Sequence, residues 1–98
     1  MNSAMIKRVQ QMKREMERTQ EEIVNTEFTS SCGPVTVIMM GDKTLKQVIF
    51  EDDFEASSKD DLEMLADMIV AATRQAGDEI EKFTAEKMGK YQAMLGGF

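Results

Sequence analysis

Ninety-eight residues, 42% of them apolar and 31% charged, suit one folded domain and exclude both a disordered chain and a membrane span, since no run approaches roughly 18 apolar residues. The net charge of −6, taken as a total, argues against a polyanionic partner, but Lys7, Arg8, Lys13, Arg14 and Arg18 face only Glu15 and Glu17 before residue 19, while eight acids crowd Glu51 to Asp67 against Lys59. Cys32 is the sole cysteine, so no internal disulfide is possible, and the mixed-charge N-terminus has no secretory apolar core; a cytoplasmic protein is expected.

The first segment predicts a helix from about Ser3 to Asn25. Met5, Val9, Met12, Met16 and Ile23 recur at spacings of four and three, with Thr19 in the remaining seam position. Such a narrow stripe fits one partner helix rather than a broad core. The same geometry puts Lys7, Gln11, Arg14 and Arg18 on the opposite face.

Three short strands follow. Glu27 to Ser31 is rich in β-branched and small residues, and Gly33-Pro34 punctuates it. Val35 to Met40 is the second strand, Gly41-Asp42 a hairpin signal, and Leu45 to Glu51 the third strand. Val37, Ile38, Met39 and Met40, then Val48 and Phe50 with Ile49 between them, are apolar on both parities. They are expected to form core and dimer packing, with both faces of the sheet covered. Cys32, beside the first strand, reads as a half-buried filler.

An acidic connection from Glu51 to Ala56 leads to Ser57 and Ser58, which offer N-cap hydroxyls three residues before Asp60 and Asp61. Those acids also suit the positive end of a helix dipole, so capping explains much of the acidic cluster. The second helix is expected from Ser58 to about Leu95, with Leu62, Leu65, Ile69, Ala72, Ala76, Ile80 and Phe83 as its apolar stripe and Gly77 or Gly89 as candidate kinks. The ten methionines read as adaptable packing.

The chain contains no histidine, which excludes His-based triads and His zinc ligands, and a lone cysteine excludes a cysteine metal cluster. No Gly-rich phosphate loop is present. The acidic segment lacks the ligand spacing of a calcium loop. We expect no enzymatic activity, no cofactor or metal, no small-molecule substrate and no membrane partner.

The order helix, three strands, long helix then meets specific residues. Gln10-Gln11-Met12 with Met16 and Gln20-Glu21-Glu22-Ile23, Gly33-Pro34-Val35-Thr36-Val37, Gly41, Val48-Ile49-Phe50 running into Glu51-Asp52-Asp53-Phe54, the run from Asp60 to Ala72, and Glu86-Lys87-Met88-Gly89 together resemble the YbaB/EbfC nucleoid-associated proteins. The match spans nearly the whole chain in order. This chain departs in carrying Ile6-Lys7-Arg8-Val9 where the family usually has a Lys-Gln pair, and in lacking the Gly-rich lead-in and the terminal Pro-Gly segment.

The resemblance implies an α+β fold (α-β-β-β-α) forming one domain over residues 1–98, and a bacterial, nucleoid-located homodimer whose projecting helices hold double-stranded DNA. The residues expected to contact DNA, mainly through phosphates, are Lys7, Arg8, Gln11, Lys13, Arg14 and Arg18 on the first helix, with Lys82, Lys87 and Lys90 on the second. The alternative is a non-enzymatic scaffold that binds another protein through its acidic face.

Overall fold

A computed structural model describes residues 2–96. The order is α1 (Ser3–Val24), β1 (Glu27–Cys32), β2 (Val35–Met40), β3 (Leu45–Phe50) and α2 (Lys59–Gly96). The three strands form one antiparallel sheet in the order β1-β2-β3.

Each helix starts at a side-chain cap. The Asn2 carboxamide oxygen accepts the Met5 amide at 2.8 Å, and the Ser58 hydroxyl accepts the Asp61 amide at 3.1 Å. The Asp61 carboxylate reaches back to the Ser57 amide at 3.1 Å, one residue outside the cap. Those hydrogen bonds, the Ser57 amide foremost, hold the Asp61 carboxyl below its ordinary pKa. At the end of α1, the Asn25 side-chain amide donates to the Glu21 carbonyl at 3.0 Å and the Thr26 hydroxyl to the Glu22 carbonyl at 2.6 Å, so the terminal carbonyls are satisfied as the chain turns into β1.

The core lies between α2 and one face of the sheet. Val35, Val37 and Met39 of β2 pack on Ala72, Ala76 and Ile80 of α2, flanked by Phe28, Cys32, Val48, Leu65, Met68 and Ile69. Ala72 and Ala76 are fully buried, and their small side chains let the helix lie close to the strands. Ser30, also buried in this interface, donates its hydroxyl to the Gln75 carboxamide oxygen at 2.9 Å, so the polar group has a partner.

The expectation that both sheet faces are covered holds for one face only within this chain. Ile38 and Met40 are half-buried and Ile49 is 40% exposed, on the face away from α2. Phe50, expected as packing, is 43% exposed. The far face is open because α1 does not lie over the sheet, whereas Phe50, paired with Val35, shares the α2 face and is exposed on the edge strand β3. The narrow stripe of α1 packs against the C-terminal half of α2, with Met12 and Ile23 buried and Met16 and Thr19 half-buried. Met5 and Val9, expected in the same seam, remain 42% and 40% exposed.

The hairpin between β2 and β3 also differs in detail from its sequence signal. The left-handed residue is Lys43 (φ 68°), not Gly41. Asp42 stabilises the turn by accepting the Thr44 amide at 2.9 Å and the Thr44 hydroxyl. Gly41 is required for another reason: a Cβ there would lie 1.7 Å from the Ile23 carbonyl oxygen, so glycine alone lets the hairpin abut the end of α1. Gly33, at φ +58°, is left-handed in the two-residue turn between β1 and β2. Neither Gly77 nor Gly89 interrupts α2, which runs unbroken from Lys59 to Gly96.

Candidate nucleic-acid interface

Helix α2 belongs to two parts of the molecule. Up to Ile80 it covers the sheet; beyond that it pairs with α1 to form a two-helix arm. The molecule therefore measures 69 × 19 × 15 Å, with a radius of gyration of 19.6 Å where a compact chain of this length has about 13 Å. The arm is closed by apolar contacts along the α1 seam and by Tyr91, which is 2% exposed and whose hydroxyl lies 3.1 Å from that of Thr19.

Charge follows this division. The two-helix arm, residues 2–24 and 81–96, carries eight of the twelve basic residues and six of the eighteen acids, a net of two positive charges, with Glu21, Glu22 and Glu81 at its root. The remaining four bases and twelve acids leave eight negative charges on the sheet end. Asp67, the arm-ward limit of the acidic cluster, lies fifteen residues before Lys82 on the same helix, about 22 Å at 1.5 Å per residue. Exposed charges more than about 10 Å apart are largely screened at 0.1 M salt, so this cluster does not cancel the potential of the arm, whereas Asp78, Glu79 and Glu81 lie within about 6 Å of Lys82 along the helix. At the junction, Lys43 donates to Glu81 at 2.5 Å and holds that carboxyl below its ordinary pKa, which neutralises one of the acids at the root of the arm. The pair sits beside an open groove of about 390 Å³ lined by Gln20, Gly41, Ile80 and Thr84.

All nine polar residues expected at the interface are exposed. Taking the buried Met12 and Ile23 as the inward direction of α1, the turn of about 100° per residue puts Lys7, Gln11, Arg14 and Arg18 on the outward side. Lys13 falls on its flank, while Arg8 lies about 50° from the inward direction, on the seam side beside Met12 and Met94. The Gln11 side chain is 3.5 Å from the Glu15 carboxylate. The lysines of α2 do not form one stripe. Lys87 lies over the Phe83 ring at 5.4 Å and Lys90 over the Tyr91 ring at 4.9 Å, while Lys82 is on the opposite side of the helix from Ile80 and Tyr91. Such stacking holds the long side chains along the helix and leaves their ammonium groups in water.

Two residues of this surface escape a reading by charge or heptad. Ile6 is 43% exposed, and Gln10, one turn on, is also exposed. Both lie on the outward half of α1 among the bases. The available signal is that Ile6 is the one branched aliphatic residue of this helix's basic half that lies outside the seam.

The comparisons agree with the geometry. The chain is 38% identical over 90 residues to a nucleoid-associated protein of Lactococcus lactis subsp. lactis, covering 90% of this chain and 89% of the relative. It is 35% identical over 96 residues to a nucleoid-associated protein of Enterococcus faecalis (96% and 90% covered), and 35% identical over 95 residues to one of Acetivibrio thermocellus (95% and 82% covered). Residues 1–95 match the family model of the YbaB/EbfC DNA-binding family. With this α-β-β-β-α fold and a match over nearly its full length, the chain belongs to the YbaB/EbfC DNA-binding family.

Proposed function

We propose that this chain is a nucleoid-associated protein that binds double-stranded DNA as a homodimer, through phosphate contacts from the arm. The asymmetry of charge carries the reading: the projecting two-helix arm has a net of two positive charges, with five bases against two acids in its first eighteen residues, while the sheet end has a net of eight negative charges. Its relatives are named for association with the nucleoid, which supports the same location here. The homodimer is supported by the uncovered sheet face with Ile38, Met40 and Ile49, which a second copy would remove from water. Contacts from Lys7, Arg14 and Arg18 would go to phosphates and so favour no particular sequence.

The test is the double charge reversal Lys7→Glu with Arg14→Glu. Both side chains lie outside the seam, so the fold is spared. Binding to random-sequence duplex at about 50 mM salt, where phosphate contacts are strong, should be lost. Light scattering should give twice the 11.1 kDa chain mass for parent and variant alike. Retention of full affinity in the variant excludes the arm mechanism, and absence of binding by the parent excludes the DNA reading. A species of single-chain mass excludes the dimer.

A further inference from the structure

We infer that the N-terminal turns of α1 enter the major groove and read A·T pairs, with Ile6 against the thymine methyl group and Gln10 at the adenine edge. This deepens the DNA reading above and rests on it.

Three observations lead there. First, Met5, Ile6 and Val9 are 42%, 43% and 40% exposed at the basic end of the helix, Met5 and Val9 on its seam side and Ile6 off it. Ile6 lies about 110° from the inward direction marked by Met12 and Ile23, so neither the seam nor the sheet takes it up. Second, its neighbours are bases and amides. Lys13 follows seven residues later on the same side, Gln10 is one turn along, and Lys7 and Arg14 border the outward face. Charge complementarity therefore points to a polyanion and not to an apolar partner. Third, the first turn of α1 contains no acid, whereas that of α2 contains Asp60 and Asp61. The positive end of the α1 dipole is left free for phosphates, while that of α2 is already answered.

The geometry selects the groove. The major groove of B-DNA is about 12 Å wide and admits an α-helix, while the minor groove, about 6 Å wide, does not. Within the major groove, a branched aliphatic side chain finds one apolar feature, the C5-methyl of thymine, and a glutamine pairs in bidentate fashion with N6 and N7 of adenine. Phosphates on either side are met by Lys7, Lys13 and Arg14. Backbone contacts thus supply the affinity, and one apolar contact adds a modest preference.

Replacing thymine by deoxyuridine removes that methyl and leaves the pairing and the charge intact. An A·T-rich duplex and its deoxyuridine counterpart are titrated with the full chain in the same buffer, using the parent and Ile6→Ala. Circular dichroism checks that the variant keeps its helices, as an exposed position should. The parent should favour thymine by about fourfold for each methyl buried. Ile6→Ala should bind both duplexes alike, with the salt dependence of the parent. Equal binding of the two duplexes by the parent overturns the methyl contact while leaving DNA binding in place. A thymine preference that survives in Ile6→Ala overturns the assignment to Ile6. Failure of the parent to bind either duplex removes the DNA reading itself, and this inference with it.

Discussion

Thr19 and Tyr91, 72 residues apart in sequence, meet through their hydroxyl oxygens at 3.1 Å inside the seam of the arm. Thr19 is the one polar member of the α1 stripe, and Tyr91 is the large residue that closes the seam from α2. Tyr91→Phe keeps the ring and loses the bond, so it should cost about 1 kcal/mol. Tyr91→Ala should cost about 3–5 kcal/mol, because the ring volume goes as well. Urea unfolding of both variants measures the two terms separately.

Two glycines should respond to alanine with opposite signs. At Gly41 the new methyl would overlap the Ile23 backbone, so Gly41→Ala should destabilise by about 1–3 kcal/mol. At Gly77 nothing lies within 4 Å of the added carbon and the backbone is helical, so Gly77→Ala should stabilise by up to about 1 kcal/mol. Thermal melts of the two variants should shift in opposite directions.

The face of α1 is tested by a pair of lysines. Met12 is 4% exposed, and Met12→Lys puts a charge into the seam at a cost of at least ~2 kcal/mol. Gln11→Lys, on the exposed side, should stay within about 0.5 kcal/mol of the parent. Equal melting temperatures for the two would mean that the seam has been placed wrongly.

The start of α2 carries a pH dependence of known sign. Ser58→Ala removes the cap and should cost about 1 kcal/mol. The Asp61 carboxyl is depressed in the folded chain by its hydrogen bonds to Ser57 and Ser58. Its contribution is therefore complete above the unfolded value of about 3.9, and fades as pH falls through the lower folded value. The stability difference between parent and Asp61→Asn, read from urea midpoints, should be constant from pH 7 to about pH 5 and shrink toward pH 2.

Salt should act steeply on DNA binding. Lys7, Arg14 and Arg18 on each of two arms could neutralise six phosphates, for a slope of roughly −5 in log K against log salt. A slope near zero would be incompatible with phosphate contacts as the main term.

Much of this was legible in the residues. The heptad of α1 identified its partner as a helix, the Ser58–Asp61 spacing located the second cap, and Gly33-Pro34 marked the first turn. Other features depend on contacts distant in sequence. The run Val37–Met40 is apolar on both parities, which signals that both faces want cover but not that α1 would leave one of them open. Gly41 reads locally as a turn glycine, although its constraint comes from Ile23. The outward, exposed stripe of Lys7, Gln11, Arg14 and Arg18 on α1 was legible because 3.6-residue periodicity suffices there. The scatter of Lys82, Lys87 and Lys90 was not, because their placement depends on which side of α2 faces α1.

The continuity of α2 has a mechanical consequence. No linker separates the part that covers the sheet from the part that carries the arm, so the arm is a lever rooted in the core. From Ile80 to Gly96 it reaches about 24 Å, so a tilt of about 10° at its root displaces the tip by roughly 4 Å, more than one base-pair step. In an assembly of two copies, the span between the tips is therefore governed by how the sheet ends meet. On the proposed function, a substitution beside Ile38 or Ile49, far from the arm, would retune the length of duplex that two such tips bracket.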